Sequence, residues 1–300
     1  MIKLSVIIPT FNGGALLVSC FKKLLRQETN FLYEIIIIDS ESKDSTIDSL
    51  RKLSARSRIP LKIIQISQKN FNHGATRNKA IKESVGEIIA LLTQDSIPTD
   101  NYWVENIIKA FNKYPYIVGL FGKHVAHTNH PEIVHRDLKL HFNYMASLTV
   151  RSVKDHCDYS TNTQKRQLLH FFSNNNSAIL RIAWKKIPFP HVTYGEDQLW
   201  AKKVIEAGFS IKYCEKITVK HSHDFSLSEH ISRRQTEVQY FQKFFYYKMT
   251  HPYRTLLYLN IKKLNNDLRW CIRNKTNFNS CLYAFKICVS NILVGLMKNN

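Results

Sequence analysis

Four short apolar runs, residues 4–8, 35–38, 61–66 and 88–92, alternate with helical patterns over 15–26, 45–57 and 75–84. Runs this short that lack polar alternation read as strands buried on both faces. Strands separated by helices pair in parallel, and helices covering both faces of such a sheet make an α/β architecture. Parallel strands point the same way, so the residues that end them collect on one rim, which is where open α/β sheets bind ligands. Here the runs end in polar residues: Thr10 and Asn12, then Asp39, then Thr93, Gln94, Asp95 and Ser96. That arrangement predicts a site, with Asp95 facing a substrate and not the core.

Farther along, 102–113 reads as an amphipathic helix and 117–122 as another strand, while 124–167, rich in His and Asn, reads as helical excursions and loops. Apolar segments 168–172 and 177–180 flank a polar turn, Ser173, Asn174, Asn175 and Asn176. Gly195, Glu196, Asp197 and Gln198 introduce a helix over 199–206, ended by Gly208. Segments 211–213 and 217–220 read as edge strands leading to His221 and His223. Beyond Leu227 the chain turns helical, aromatic and basic, with Arg233, Arg234, Lys243, Phe244, Phe245, Tyr246, Tyr247 and Lys248, then Lys262, Lys263, Arg269, Trp270 and Arg273. The expected division is an α/β domain over 1–227 and a basic helical extension over 228–300. Basic helices bordered by aromatics suit an anionic membrane surface, or one face of a homodimer.

The excess of 43 Lys and Arg over 23 Asp and Glu, a formal charge of +20, favours an anionic partner. No RNA-recognition signature, C-x-x-C pair or Lys/Arg block accompanies it, so no nucleic-acid partner is expected. The six cysteines lack metal-ligand spacing, which suits a reducing cytoplasm. Met1 leads directly into the first strand, with no signal peptide expected. The apolar tract 287–297, broken by Ser290 and Asn291, reads as shorter than the roughly 20 residues that span a bilayer. Membrane contact is therefore expected to be peripheral.

Five ordered motifs carry a resemblance: LSVIIPTFN at 4–12, IIIIDSESKDST at 35–46, HGATRN at 73–78, the strand ending at Asp95, and GEDQ at 195–198. Together they resemble family 2 inverting glycosyltransferases of the GT-A fold, a Rossmann-like nucleotide-diphospho-sugar transferase fold with a mostly parallel central sheet. FNHGATRN, TQDS, GEDQLWAKK and HSHDFSL look like bacterial rhamnosyltransferases, which use dTDP-L-rhamnose. The resemblance implies a nucleotide pocket at Thr10, Asn12, Asp39 and Gln94, with Asp39 accepting from a pyrimidine N–H. It also implies a diphosphate cradle of His73, Gly74, Arg77 and Asn78 at a helix N-terminus, where amides and dipole favour anions. Relatives bind Mg²⁺ or Mn²⁺ through D-x-D, whereas Thr93, Gln94 and Asp95 supply one carboxylate, so His221 or His223 is the candidate second ligand.

By the same resemblance Asp197 is the general base, with Glu196 orienting it or the acceptor. The helix dipole and nearby cations are expected to lower the pKa of Asp197. The implied activity is transfer of L-rhamnose to a lipid-linked saccharide on the cytoplasmic face of the plasma membrane. The alternatives are another nucleotide sugar such as a UDP-hexose, or an inactive sugar-nucleotide-binding module.

Overall fold

The computed structural model describes residues 1–247 and 251–297; Lys248 of the basic stretch lies outside them. In chain order the elements are β1 (Leu4–Thr10), α1 (Gly14–Leu24), β2 (Tyr33–Asp39), α2 (Thr46–Ser54), β3 (Leu61–Gln65), α3 (His73–Lys82) and β4 (Ile88–Leu92). Then come β5 (Ile97–Pro98), α4 (Trp103–Lys113), β6 (Ile117–Val125), α5 (Glu132–Ala146), β7 (Val150–Arg151), α6 (His156–Thr161) and α7 (Thr163–His170). The remainder are β8 (Asn176–Leu180), α8 (Arg181–Lys186), α9 (Glu196–Glu206), β9 (Ser210–Lys220), α10 (Leu227–Phe245), α11 (Tyr253–Arg273) and α12 (Phe278–Leu296). The chain forms two compact units, residues 1–125 with 142–221, and residues 126–141 with 222–300.

In the first unit the strands make one sheet in the order β3-β2-β1-β4-β8-β6-β9-β5, with β7 also pairing to β9. The half built from β3, β2, β1 and β4 is parallel, as expected from its βα alternation. Beyond β4 the sheet is mixed: β8 runs antiparallel to β4 and β6, and β9 runs parallel to β6. Each residue of Ile35–Ile38 is fully buried, and burying one such side chain contributes roughly 1.5–3 kcal/mol. Pro9 lies in the middle of the sheet, where its missing N–H would ordinarily break a ladder. Pairing to β4 stops at Ile7, so on that side Pro9 has no ladder bond to interrupt.

Two expectations change here. The segments 211–213 and 217–220 are one strand, β9, flanked by β6 and β5 and not at an edge. Its register against β6 jumps from Gly122↔Cys214 to Lys123↔Thr218, so Glu215, Lys216 and Ile217 are extra residues in a bulge. Gly122 faces this bulge, and a Cβ there would lie 1.9 Å from the Ile217 carbonyl oxygen.

The second unit is helical. The first part of α5 packs with α11 and α12 through Ile133, Val134, Cys271 and Ala284. Arg136 donates to both Asp137 and Asp267 and lies over the Trp270 ring at 4.6 Å. The last helix starts at Phe278, nine residues before the apolar tract read from the sequence, because Asn277 caps it by accepting from the Ser280 amide. Among the described residues α12 is thus long and apolar enough, by length and composition, to cross a membrane, which corrects the shorter span expected above.

Candidate active site

The polar ends of β1, β2 and β4 meet as parallel register requires. Thr10 stands opposite Asp39, and the Ser40 amide donates to the Thr10 carbonyl. Gln94 ties the end of β4 to β1: its Oε1 accepts from Thr10 Oγ1 at 2.8 Å and from the Phe11 amide at 3.0 Å. Asp39 is 1% exposed, and its carboxylate accepts from both the hydroxyl and the amide of Ser42. Asn12, at a left-handed φ of 47°, accepts from the Lys43 amide and donates its own amide to Ser42. Two loops are thereby stitched together along one rim of the sheet.

Asp95 follows in the turn after β4, 3.5 Å through Oδ2 from His221 Nε2 at the end of β9. His221 is buried and sits edge-on to the His124 ring. One carboxylate and one imidazole here present an oxygen and a nitrogen donor, a set that fits Mn²⁺ better than Mg²⁺. His223 falls in the second unit, where its ring stacks on Phe225 at 4.7 Å.

The loop before α3 supplies the next group. Asn72 caps the helix by accepting from the Ala75 amide, and its Nδ2 donates to the Val192 carbonyl. Gly74 is required by close approach: a Cβ there would sit 2.0 Å from the Pro190 carbonyl oxygen. His73 opens the helix, and burial holds its imidazole below the ordinary value, with Glu196 opposing the shift and Arg77 adding to it.

Arg77 is placed differently from the expectation that it grips phosphate. It is 2% exposed and pairs with Glu196, Nη1 to Oε1, at 2.9 Å, while the same nitrogen donates to the His73 carbonyl. Asn78 is a brace: its Nδ2 donates to the Phe189 carbonyl, and its Oδ1 accepts from Trp184 Nε1 and the Phe189 amide. With both ends of its amide engaged, Asn78 serves packing, and nothing in its geometry points to diphosphate.

Gly195, at a left-handed φ of 70°, starts α9 and puts Glu196 and Asp197 in its first turn. Glu196 is buried, and its Oε1 takes both Arg77 Nη1 and, at 3.0 Å, Asn174 Nδ2. Asp197 Oδ2 accepts from the Asn174 amide at 3.0 Å and Oδ1 from the Gln198 amide at 2.8 Å. The expected lowering of its pKa does not occur. Desolvation, and then the negative charge of Glu196, push it up to about 7, outweighing the two amides and Arg77.

Sequence reasoning passed over two groups. Ser42 satisfies Asp39, and Asn174 bonds to both α9 carboxylates; the signal for the second was a run of Ser and Asn between apolar segments. The buried ion pair generates a stability prediction. Arg77→Met or Glu196→Gln alone strands a charge and is expected to cost about 3–5 kcal/mol in urea unfolding, and the double variant less than the sum. Additive single costs below about 1 kcal/mol would contradict this pairing.

The family model "Glycosyl transferase family 2" matches residues 5–185. Over 235 residues the chain is 33% identical to O-antigen chain rhamnosyltransferase RfbN of Salmonella typhimurium, covering 77% of this chain and 70% of that one. O-antigen chain rhamnosyltransferase WbaN of Salmonella anatum is 30% identical over 233 residues, covering 76% and 69%. Among solved structures, mannosyltransferase PcManGT of Pyrobaculum calidifontis, in complex with GDP-Man and Mn²⁺, superposes with a TM-score of 0.67 at 14% identity, covering 99% of this chain and 88% of that one. The chain therefore belongs to the family 2 glycosyltransferases, has the GT-A fold, and is rhamnosyltransferase-like in sequence.

Proposed function

We propose that this glycosyltransferase moves L-rhamnose from dTDP-L-rhamnose to a hydroxyl of a lipid-linked saccharide during cell-surface polysaccharide synthesis. The rhamnose reading is supported by the two Salmonella relatives, whose names state rhamnosyl transfer in O-antigen chains. The observation that carries the chemistry is Asp197: a carboxylate pinned through both oxygens to backbone amides, with its pKa raised toward neutrality. A general base works best when its pKa lies near the operating pH.

In this reading the acceptor oxygen attacks the anomeric carbon in line as the bond from that carbon to the diphosphate breaks. The hydroxyl proton passes to Asp197, and dTDP leaves. Glu196, ion-paired to Arg77, raises the basicity of Asp197 by its negative charge. Arg77 acts through Glu196. Thr10, Asn12 and Asp39 border the nucleotide, and Gln94, whose Oε1 is engaged by Thr10 and Phe11, offers the ligand its amide hydrogens. The first turn of α3, at His73 and Gly74, is the helix N-terminus that would receive anionic oxygens.

Asp95 and His221 would hold a divalent cation, Mn²⁺ in preference to Mg²⁺, which when bound supplies Lewis-acid neutralisation of the departing diphosphate. His223 remains the further ligand candidate read from the sequence.

For the second unit we propose contact with the anionic leaflet that carries the acceptor, on the cytoplasmic face. Ile272, Phe278 and Phe285 are exposed in this unit, as are Lys262, Arg269 and Arg273. Apolar side chains mixed with cations are what an anionic bilayer surface attracts.

Three outcomes follow. Asp197→Asn is expected to lower kcat/KM roughly 100- to 10,000-fold, and wild-type kcat/KM to rise with pH through about 7, since the base works only when deprotonated. A flat profile would end the base reading of Asp197, and wild type and variant equally inert while both bind dTDP would make the chain a binding module. Across a panel of nucleotide sugars, dTDP-L-rhamnose is expected to turn over fastest, with the rate falling at least about tenfold in chelator and returning with Mn²⁺. Faster turnover of a UDP-hexose ends the rhamnose reading, and indifference to chelator ends the metal reading. The full chain is expected to pellet with phosphatidylglycerol vesicles and to be released by salt; no pelleting removes the membrane role.

A further inference from the structure

Of the polar run Ser173 to Asn176, the activity derived above uses only the Asn174 backbone amide, yet its three asparagine side chains go to three different places. Asn176 is fully buried and anchors the loop: its Oδ1 accepts from Trp103 Nε1, and its Nδ2 donates to the carbonyls of Lys123 and Ile217. Asn175 Nδ2 lies 3.5 Å from His221 Nδ1. Asn174, 1% exposed, spends its donors on carboxylates: its side-chain Nδ2 on Glu196 Oε1 and its backbone N–H on Asp197 Oδ2. Its remaining acceptor, Oδ1, takes the Ser177 hydroxyl at 3.0 Å. The amide orientation is forced, because the carboxylate of Glu196, ion-paired to Arg77, can only accept.

We propose that Asn174 is a positioning residue for the transfer reaction, one that sets the direction of the Asp197 carboxylate and holds Glu196 against Arg77 so that the two acids keep a fixed separation. The inference rests on Asp197 being the base. A residue serving only the loop would direct its donors at backbone carbonyls, as Asn176 does two positions later. Asn174 places both donors on the acids that open α9, while α9 itself contributes only the Gln198 amide to Asp197. Loss of the Nδ2 donor leaves Glu196 held by the Arg77 ion pair, free to turn about that contact and to alter the charge that Asp197 feels.

Two variants separate this role from loop folding. Asn174→Asp keeps the size and the acceptor for Ser177 but sets an oxygen in place of the donor against Glu196; Asn174→Ala removes the side chain. Activity against pH, dTDP affinity and thermal melting are measured for both, with Asp197→Asn as the control. Expected for Asn174→Asp is dTDP affinity within about threefold of wild type, kcat down at least about tenfold, and an acid limb of kcat/KM moved to higher pH, because added negative charge makes the base hold its proton longer. Asn174→Ala is expected to lose kcat with dTDP affinity likewise retained. An acid limb unmoved in Asn174→Asp, or activity losses in both variants that simply follow lost thermal stability, would overturn the positioning role. If Asp197→Asn is inert and the Asn174→Asp limb is unmoved, only Asn174 is misassigned; if Asp197→Asn keeps the wild-type rate, the base reading falls and this inference with it.

Discussion

A fold that stacks acidic residues at the ends of buried strands and helices must satisfy each carboxylate where water is scarce. Desolvating an ionised carboxylate costs several kcal/mol unless hydrogen bonds or a counter-charge replace the lost water. The four acids of the candidate site meet this demand in four ways. Asp39 is served by Ser42, three residues on; Asp95 faces His221; Glu196 is ion-paired to Arg77; Asp197 has two backbone amides and no cation of its own. That ranking matters chemically. Asp197, held by neutral amides in a desolvated position beside the charge of Glu196, is pushed up toward neutrality, which fits it to take a proton.

The parallel half of the fold was legible because its signal is local. Ile35–Ile38 is buried on both faces, so the residues show an unbroken apolar run whatever packs on them. The rim followed from it, since strands in parallel register bring Thr10 opposite Asp39 without further information. Beyond β4 the signal fails for a physical reason. The charged Glu215 and Lys216 split β9 into two apparent edge strands, while the pairing on either side belongs to β6, a partner about a hundred residues earlier.

The site was legible in residue identity and not in protonation or partnership. Arg77 reads equally well as a phosphate ligand or a solvated helix residue, and only the placement of α9 shows that it is buried against Glu196. The pKa of Asp197 went the other way from a first-turn dipole argument because dipole effects at a surface are worth a few tenths to 1 kcal/mol, less than burial beside a second carboxylate. Asn174 carried no chemical flag at all. Its type is ordinary for a turn, and its importance comes from two residues more than twenty positions ahead.

The bulge in β9 has a consequence for how such chains tolerate length variation. Glu215 and Lys216 are exposed, while Ile217 is locked into the interior by the amide of Asn176. The exposed pair stands outside the ladder to β6, so a residue gained or lost there is expected to be taken up at the surface, with the alternation of faces beyond Thr218 preserved. His221 therefore keeps its heading independently of the spacing upstream, as a door keeps its swing when only the hinge-side trim is recut.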